Sequence, residues 1–315
     1  MPRPIILGVV GDSAAGKTTI TRGLLRILGE HAVTHVCTDD YHRYDRRQRK
    51  QHDITPLHPD CNYIDVMGRD IGHLRRGEAI LKPVYRHADG TFAPPEYVRP
   101  HAFAIVEGLL GYHTEEMRAA YDVRVFLEPP EELRRKWKVD RDCSRRGYTT
   151  DEVLAELDRR EPDSAGFIRP QQRFADIVVT FLPGRDGDAP ERLDARLVLR
   201  DGLVHPDLTP FVGGDSGITL EPEEGARRVR IPGDIDEERA AHIERAIWDA
   251  MPFASHLRSQ RLGEFTIGTE LHRSEALALV QLLILYHLVT ARACIALGGD
   301  GLRNGEVVVA APPVR

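Results

Sequence analysis

The chain has 315 residues, of which 41% are hydrophobic and 29% charged, and its formal net charge is −6. This length and composition are typical of a globular protein with one large domain plus an appendage, or with two domains. A chain this acidic lacks the basic surface that general nucleic-acid binding requires, so we expect no nucleic-acid partner. Its basic residues are clustered locally instead, which favours a small anionic ligand.

The first predicted elements are a strand, a glycine-rich loop and a helix. The apolar run PIILGVV (4–10) predicts a strand buried on both faces, and ITRGLLRILGEH has apolar residues at helical spacing. Between them, GDSAAGKT (11–18) matches the pattern G-x-x-x-x-G-K-[ST], in which backbone N–H groups and the lysine bind phosphates and the hydroxyl binds Mg²⁺. A glycine-rich turn without a ligand is the alternative, but the position between a strand and a helix favours a nucleotide site. The predicted ATP-binding residues are Gly11, Asp12, Ser13, Ala14, Ala15, Gly16, Lys17, Thr18 and Thr19.

A second strand is predicted over residues 31–38, directly before the charged stretch DDYHRYDRRQRK. We expect this strand to lie beside the first one in a parallel sheet, so that its carboxyl end opens on the nucleotide site. Asp39 or Asp40 would then act as the base that phosphoryl transfer to a hydroxyl requires. Arg46 and Lys50 lie four residues apart and would hold a phosphate carried by the acceptor. A solvated run of charges is the alternative for this stretch taken in isolation.

The segments that follow alternate between helices and strands. Residues 45–63 are predicted to be a loop, and 84–97 a hairpin that turns at residues 88–90. Helical patterns cover 63–79, 130–147 and 149–161, and buried strands are predicted at 101–110, 121–130 and 174–183. This alternation predicts an α/β fold of the P-loop NTPase type, with a mostly parallel sheet flanked by helices. Glu107 ends one of these strands, where a carboxylate suits a Mg²⁺ site opposite the phosphate loop.

The helix predicted after the fourth strand carries a charged face. Lys138, Arg141 and Asp142 lie on it together with Arg145 and Arg146, at helical spacing. Three arginines and a lysine around one aspartate suit a clamp for the charge of a transferred phosphoryl group, with the aspartate oriented toward a metal ion. A helix that is charged only for solubility is the alternative.

The pattern of the chain changes after residue 183. A polar linker, short strand patterns and two helical patterns follow. We therefore divide the chain into a nucleotide-binding core (1–183) and an antiparallel-strand and helical appendage (184–315) that packs on the core.

One apolar stretch and the cysteines indicate where in the cell the protein is located. The long apolar stretch 275–297 contains Gln281, His287 and Arg292, so we expect a buried amphipathic helix rather than a membrane span, and no membrane partner. No two of the four cysteines form a C-x-x-C motif, which favours a reducing cytoplasm.

Several motifs occur in unbroken order over about 1–183: GDSAAGKTT, TDDYHRYDR, LHPDCNYIDVM, KPVYRHADGTFAPPE, IVEGL, KVDRDCSRRG and IRPQQRFADIVVTFLP. With these motifs the chain resembles the uridine kinase and phosphoribulokinase group of P-loop kinases, and within it the plant and cyanobacterial phosphoribulokinase type. The stretch HLRSQRLGEFTIGTELHRSEALALVQLLILYHL is similar to the C-terminal part of that type. The resemblance implies a kinase that uses ATP and Mg²⁺ to phosphorylate the C1 hydroxyl of ribulose 5-phosphate, and we expect a homodimer.

The resemblance also implies roles for individual residues. Asp39 is then the catalytic base and His42 completes the D-x-x-H pattern, while Lys17 and Arg141 stabilise the charge of the transferred group. The implied metal-associated residues are Thr18, Glu107 and Asp142. The residues implied in binding the sugar phosphate are His42, Arg46, Lys50, Tyr85, His87, Lys138 and Arg146.

One position departs from the family pattern. Plant enzymes of this family are switched off by a disulfide between a cysteine in the phosphate loop and one just before the catalytic aspartate. Cys37 occupies the second position here, but Ala15 occupies the first. We therefore expect that this regulatory disulfide cannot form.

Two alternatives remain open. A nucleoside kinase resembling uridine kinase, or another sugar or sugar-phosphate kinase, would use the same chemistry, but an unphosphorylated acceptor would not need Arg46, Lys50 and Arg146 together. A P-loop regulatory protein without turnover is the alternative from a different class. The catalytic residues that argue against it are all intact: Lys17, Thr18, Asp39 and Asp142.

Overall fold

The computed structural model describes residues 2–185, 187, 189–213, 217–259, 261–267 and 270–302, without the side chains of residues 145 and 146. The strands are, in chain order, β1 (Ile5–Gly11), β2 (Val33–Cys37), β3 (Ile80–Arg86), β4 (Thr91–Val98), β5 (Phe103–Gly108), β6 (Val123–Leu127), β7 (Ile177–Leu182), β8 (Asp194–Arg200), β9 (Thr219–Glu223), β10 (Ala226–Ile231), β11 (Glu264–Ile267) and β12 (Glu270–Arg273). The α-helices are α1 (Lys17–Leu28), α2 (Arg46–Gln51), α3 (Ile64–Arg75), α4 (Glu115–Ala120), α5 (Glu131–Arg146), α6 (Thr150–Asp163), α7 (Glu237–Asp249) and α8 (Glu275–Ala296).

One eight-stranded sheet runs through the molecule in the order β2-β5-β1-β6-β7-β8-β10-β9. The strands from β2 to β7 in this order are parallel to one another. β8, β10 and β9 continue the same sheet in antiparallel fashion. The prediction of an α/β fold with a mostly parallel sheet, flanking helices and antiparallel C-terminal strands is confirmed.

The position of β2 differs from the prediction. β2 pairs with β5, with Cys37 opposite Glu107, and β5 in turn pairs with β1. The expectation that β2 lies directly beside β1 is therefore wrong. β5 is buried on both faces and takes the inner position, whereas β2 exposes His35 and forms the edge of the sheet. Because the three strands are parallel, they still end at the same edge, and the residues after β2 remain near the phosphate loop.

Helices cover both faces of the sheet. Along β1, Ile5, Leu7 and Val9 pack into one core, and Ile6 and Val10 pack into the other, as the two-residue repeat of a strand requires. The first core contains buried side chains of α1, α7 and α8, and the second contains those of α3 and α4. β1 is thus buried on both faces, which holds the loop that follows it in a fixed position.

A separate hairpin, β3–β4, lies over the carboxyl edge of the sheet together with α2. The hairpin turns at Gly90 (φ 76°), as predicted, and the backbone N–H of Arg46 donates to the Gly90 carbonyl oxygen at 2.8 Å. The prediction of a loop over 45–63 is wrong where α2 forms. Asp45 and Gln48 make a capping box that starts this short helix.

α8 is long and apolar enough to cross a membrane, alone among the helices that the structure describes. Every side chain from 276 to 285 is buried inside the protein, where α8 contacts α1, α7, β1 and β8. The prediction of a buried helix is confirmed, but the prediction of an amphipathic one is wrong. Neighbours on all sides bury the apolar surface of this helix, so it has no polar stripe here.

The boundary predicted between the core (1–183) and the appendage (184–315) falls between β7 and β8. These strands are hydrogen-bonded neighbours, with Ile177 opposite Leu199 and Leu182 opposite Asp194. The boundary stays a prediction, and it divides a continuous sheet.

Candidate active site

The loop between β1 and α1 has the shape of a phosphate cradle. Ala14 (φ 66°) and Gly16 (φ 92°) adopt left-handed backbone conformations, which curl the loop. Lys17 Nζ donates to the carbonyl oxygens of Gly11 and Asp12, at 2.8 Å each, so its ammonium group lies over the loop. Burial lowers the pKa of Lys17, although nearby acids oppose this effect. The ammonium therefore occupies the place from which such lysines reach the terminal phosphates of a nucleotide.

Two residues outside the motif stabilise this loop. The Ser164 hydroxyl donates to Asp12, and Arg134 Nη1 lies 3.7 Å from Asp12 Oδ1. Arg134 also donates to the carbonyl oxygen of Ser13 at 3.1 Å. Neither residue was predicted from the sequence. Arg134 lies one turn before Lys138 on α5, so helical periodicity provides a signal for it, whereas Ser164 has no local signal.

The two carboxylates after β2 have different surroundings. Asp40 Oδ2 accepts from Lys82 Nζ at 2.5 Å, and Asp40 Oδ1 accepts from the backbone N–H of Tyr85 at 2.8 Å. The Asp39 side chain is 26% exposed, and its Oδ2 lies 3.6 Å from His87 Nε2. Asp39 is thus the carboxylate of the pair that a substrate hydroxyl can reach.

Asp39 is ionised at neutral pH. Burial alone would raise its pKa, but positive charge on His42, followed by His87 and Lys17, outweighs this effect and holds the pKa below its ordinary value. Burial lowers the pKa of His42 itself to about 4, so His42 is neutral at pH 7. Lys17 and, more weakly, Arg160 also lower the pKa of Asp39, and their effect does not depend on the protonation of His42. An ionised carboxylate near the phosphate-loop lysine is able to accept a proton from a hydroxyl.

α2 and the hairpin bring further predicted residues toward Asp39. Arg46 Nη2 donates to the carbonyl oxygen of His87 at 2.6 Å, and the ring of His87 approaches Asp39. Lys50 lies one turn further along α2 and is exposed. Arg46 is therefore joined to the predicted base through His87, whereas a contact of Lys50 with the acceptor stays a prediction.

His42 and Tyr85 are buried, with 3% and 6% exposure. His42 Nδ1 lies 2.7 Å from Asn62 Oδ1, and the two rings of His42 and Tyr85 pack edge to face. Arg49, which was not predicted as a site residue, donates to the Tyr85 hydroxyl at 2.5 Å. These contacts hold the hairpin in place, and a direct contact of either ring with the acceptor stays a prediction.

Lys138, Arg141 and Asp142 form an ion cluster on α5. Lys138 Nζ lies 2.8 Å from Asp142 Oδ2, and Arg141 Nε lies 2.9 Å from Asp142 Oδ1. Burial would raise the pKa of Asp142, but the hydrogen bond from Arg141 and the charge of Lys138 lower it to about 2. Burial, together with the charges of Arg160 and Arg141, lowers the pKa of Lys138 to about 8. The side chain of Arg146 lies outside the described residues.

Arg160 of α6 is electrostatically coupled to both parts of the site. Its charge lowers the pKa of Asp39 and that of Lys138. Its Nε donates to Glu156 Oε1 at 2.6 Å, which fixes the guanidinium on α6. No motif singles out Arg160, because an arginine on a charged helix is common at protein surfaces.

Glu107 lies at the end of β5, next to the phosphate-loop helix. Its Oε2 accepts from the Thr21 hydroxyl at 3.1 Å, and its Oε1 lies 3.1 Å from His35 Nε2. The carboxylate is buried and acts on the pKa of Lys17. Thr18 is exposed at the first turn of α1. Carboxylate and hydroxyl oxygens are the ligands that Mg²⁺ prefers, so these residues suit the predicted ion.

A parallel sheet that places these groups at its carboxyl edge defines a P-loop kinase, an enzyme that transfers a phosphoryl group from a nucleotide to a hydroxyl. The chain belongs to the Phosphoribulokinase / Uridine kinase family, whose profile matches residues 6–187.

Several relatives carry names from both branches of this family. The phosphoribulokinase of Synechocystis sp. is 38% identical over 223 residues, which cover 70% of the chain and 67% of the relative. The chloroplastic phosphoribulokinase of Triticum aestivum is 32% identical over 69% of the chain and 58% of the relative. A uridine kinase of Chlamydia pneumoniae is 31% identical over 56% of the chain and 81% of the relative. The match thus spans about two thirds of the cyanobacterial relative and less of the chloroplastic one.

A solved structure gives the same architecture. Phosphoribulokinase from Rhodobacter spheroides resembles the chain with a TM-score of 0.60 and 19% identity, over 81% of this chain and 99% of that one. At this identity the likeness concerns the fold.

Proposed function

We propose that the protein transfers the γ-phosphoryl group of ATP to the C1 hydroxyl of ribulose 5-phosphate, giving ribulose 1,5-bisphosphate and ADP. The observation that carries this proposal is Asp39, an ionised and partly exposed carboxylate close to the phosphate-loop lysine. Arg46, which is joined to Asp39 through His87, and Lys138 in the ion cluster of α5 are cations that support an acceptor with a phosphate of its own. The relatives named phosphoribulokinase support the choice of sugar phosphate.

The reaction follows from the positions of these side chains. Asp39 accepts the proton of the C1 hydroxyl, and the oxygen forms a bond to the γ-phosphorus. The bond from that phosphorus to the bridging oxygen breaks, and its electron pair leaves with ADP. Lys17 in the cradle and Arg141 on α5 stabilise the negative charge that develops on the transferred group and the leaving oxygen.

Mg²⁺ is expected with ATP. Thr18 and Glu107 would hold it at the phosphate loop, and Asp142, whose oxygens accept from Lys138 and Arg141, would orient groups around it. When bound, the ion neutralises phosphate charge and orients the β- and γ-phosphates.

The acceptor is tested by comparing ribulose 5-phosphate with uridine at equal concentration, with Mg·ATP, by ADP release. We expect much faster turnover of ribulose 5-phosphate, because cations that face an unphosphorylated acceptor are left unpaired. Uridine is the informative competitor, since a uridine kinase matches over 81% of its own length. Faster turnover of uridine would establish the nucleoside-kinase alternative.

A matched pair of variants tests the acceptor site itself. Arg46→Ala should lower kcat/KM for ribulose 5-phosphate, mainly through KM, by a factor that corresponds to a loss of about 2–4 kcal/mol in transition-state stabilisation. The KM for ATP should stay nearly unchanged. Arg47→Ala is the control, because Arg47 is the exposed neighbour on the same helix. Equal sugar-phosphate kinetics in the two variants would remove Arg46 from the site.

The cytoplasmic location and the homodimeric state also stay predictions.

A further inference from the structure

Gln281 is a buried amide within the apolar helix α8. The residue is 0% exposed, so both ends of its amide require hydrogen-bond partners inside the protein. Its Nε2 donates to the carbonyl oxygen of Thr19 at 3.2 Å. Its Oε1 accepts the backbone N–H of Gly263 at 2.9 Å. One side chain thus joins the phosphate-loop helix, α8 and the turn before β11.

Gly23 on α1 provides the space for this amide. A Cβ atom added at Gly23 would lie 2.1 Å from Gln281 Nε2 and 2.4 Å from its Cδ. Glycine inside a helix is unfavourable relative to alanine, so its presence calls for a local reason. The close approach of Gln281 supplies that reason.

The part of α1 that Gln281 contacts belongs to the phosphate loop. Thr19 ends the sequence GDSAAGKTT, and its N–H donates to the Gly16 carbonyl oxygen at 3.0 Å. Backbone N–H groups in this first turn face the phosphates in loops of this kind. A second contact lies nearby, since Arg26 Nη1 is 2.9 Å from Glu264 Oε2. The C-terminal part of the chain therefore holds α1 at both Thr19 and Arg26.

We propose that Gln281 is a positioning residue for nucleotide binding. By holding the first turn of α1, it keeps the N–H groups and Lys17 in the geometry that fits the phosphates. The inference rests on the proposed function in that the loop binds ATP, but it is independent of the acceptor. Nucleotide affinity is then set partly by a residue far along the chain, in the appendage.

The test is the affinity of Mg·ADP for Gln281→Leu, measured by titration calorimetry on the full chain. Leucine has a similar volume but makes neither hydrogen bond. We expect Kd for Mg·ADP and KM for ATP to rise roughly three- to tenfold, the range set by about one net hydrogen bond. KM for ribulose 5-phosphate should stay unchanged. Gln281→Glu keeps the acceptor for Gly263 and should lose affinity as well, because it cannot donate to Thr19 when ionised.

Two controls separate positioning from general loss of stability. Val289→Ala creates a cavity two turns further along α8 and should lower Tm without changing the Mg·ADP affinity. Gly23→Ala changes the other side of the contact and should also weaken Mg·ADP binding. Gly72→Ala on α3 is its control and should leave the binding unchanged, because the added Cβ meets only the flexible end of Arg76 at 3.4 Å.

An unchanged Mg·ADP affinity in Gln281→Leu, with Tm lowered as in Val289→Ala, would overturn the proposal. So would a rise in KM confined to the sugar phosphate. Because the main measurement needs no acceptor, it remains informative even if ribulose 5-phosphate proves to be the wrong substrate.

Discussion

The neighbouring carboxylates Asp39 and Asp40 differ in their hydrogen-bond partners and in their exposure. Asp40 pairs with the buried Lys82 and with the backbone of Tyr85, which fastens the β3–β4 hairpin over the site. Asp39 has a lowered pKa and remains accessible. The residues alone leave the two equivalent, and only the family resemblance selects Asp39. Adjacency in the chain cannot show which carboxylate meets a buried lysine, because that lysine is distant in sequence.

This difference predicts two distinct variants. Asp39→Asn should lower kcat roughly 10²–10⁴-fold, because the catalytic base is lost. The affinity for Mg·ADP should stay nearly unchanged, because no contact with the nucleotide is lost. Asp40→Asn should instead raise KM for the sugar phosphate and lower Tm, because the buried Lys82 ammonium loses its carboxylate. Steady-state kinetics in both substrates and thermal unfolding measure both effects. The opposite pattern would make Asp40 the base.

The pKa of Lys138 predicts a pH dependence. Burial lowers this pKa from 10.5 to about 8, so the side chain is charged below pH 8 and neutral above it. A neutral lysine no longer attracts the acceptor phosphate, and kcat/KM reports the free enzyme. We therefore expect kcat/KM for ribulose 5-phosphate to fall as the pH rises through about 8. Arginine keeps its charge at this pH, so the pH profile of Lys138→Arg should not show the fall in kcat/KM near pH 8. If kcat/KM still falls near pH 8 in this variant, another group causes the pH dependence.

At the scale of elements, signals within a few residues gave correct predictions. α5 follows Pro130 and is capped at its C-terminus by Gly147, which adopts a left-handed conformation (φ 72°). α6 begins with a capping box between Thr149 and Glu152. The helix Lys17–Leu28 directly follows the phosphate loop, as its motif requires. Each of these features depends on hydrogen bonds between residues within one or two turns of each other.

Elements that depend on distant partners could not be predicted in this way. The order of β2, β5 and β1 depends on which strand the rest of the fold covers on both faces. The β11–β12 hairpin was not anticipated; it lies against α1, where Glu264 pairs with Arg26. Ser164 likewise acquires its role only when the fold brings it to Asp12.

At the scale of the whole molecule, one sheet joins the nucleotide-binding part to the appendage. β7 and β8 are paired from Ile177 to Leu182, and α8 lies against both β1 and β8. The apolar face of β1 is therefore covered partly by residues that follow position 183. A division into core and appendage describes the sequence motifs, while the hydrophobic core crosses that division.

This continuity predicts that the fragment 1–183 does not fold stably by itself. Without β8, β7 becomes an unpaired edge, and without α8, the face of β1 that carries Leu7 and Val9 loses part of its apolar cover. We expect the fragment to aggregate on size-exclusion chromatography and to show no cooperative thermal unfolding.

Co-expression with the fragment 184–315 is the matched control, because it supplies the missing strand and helices in trans. The pair should form a soluble complex that binds Mg·ADP. A fragment 1–183 that is monomeric, unfolds cooperatively and binds Mg·ADP as tightly as the full chain would show two independent domains. That result would also remove the coupling inferred for Gln281, since the phosphate loop would then keep its geometry without α8.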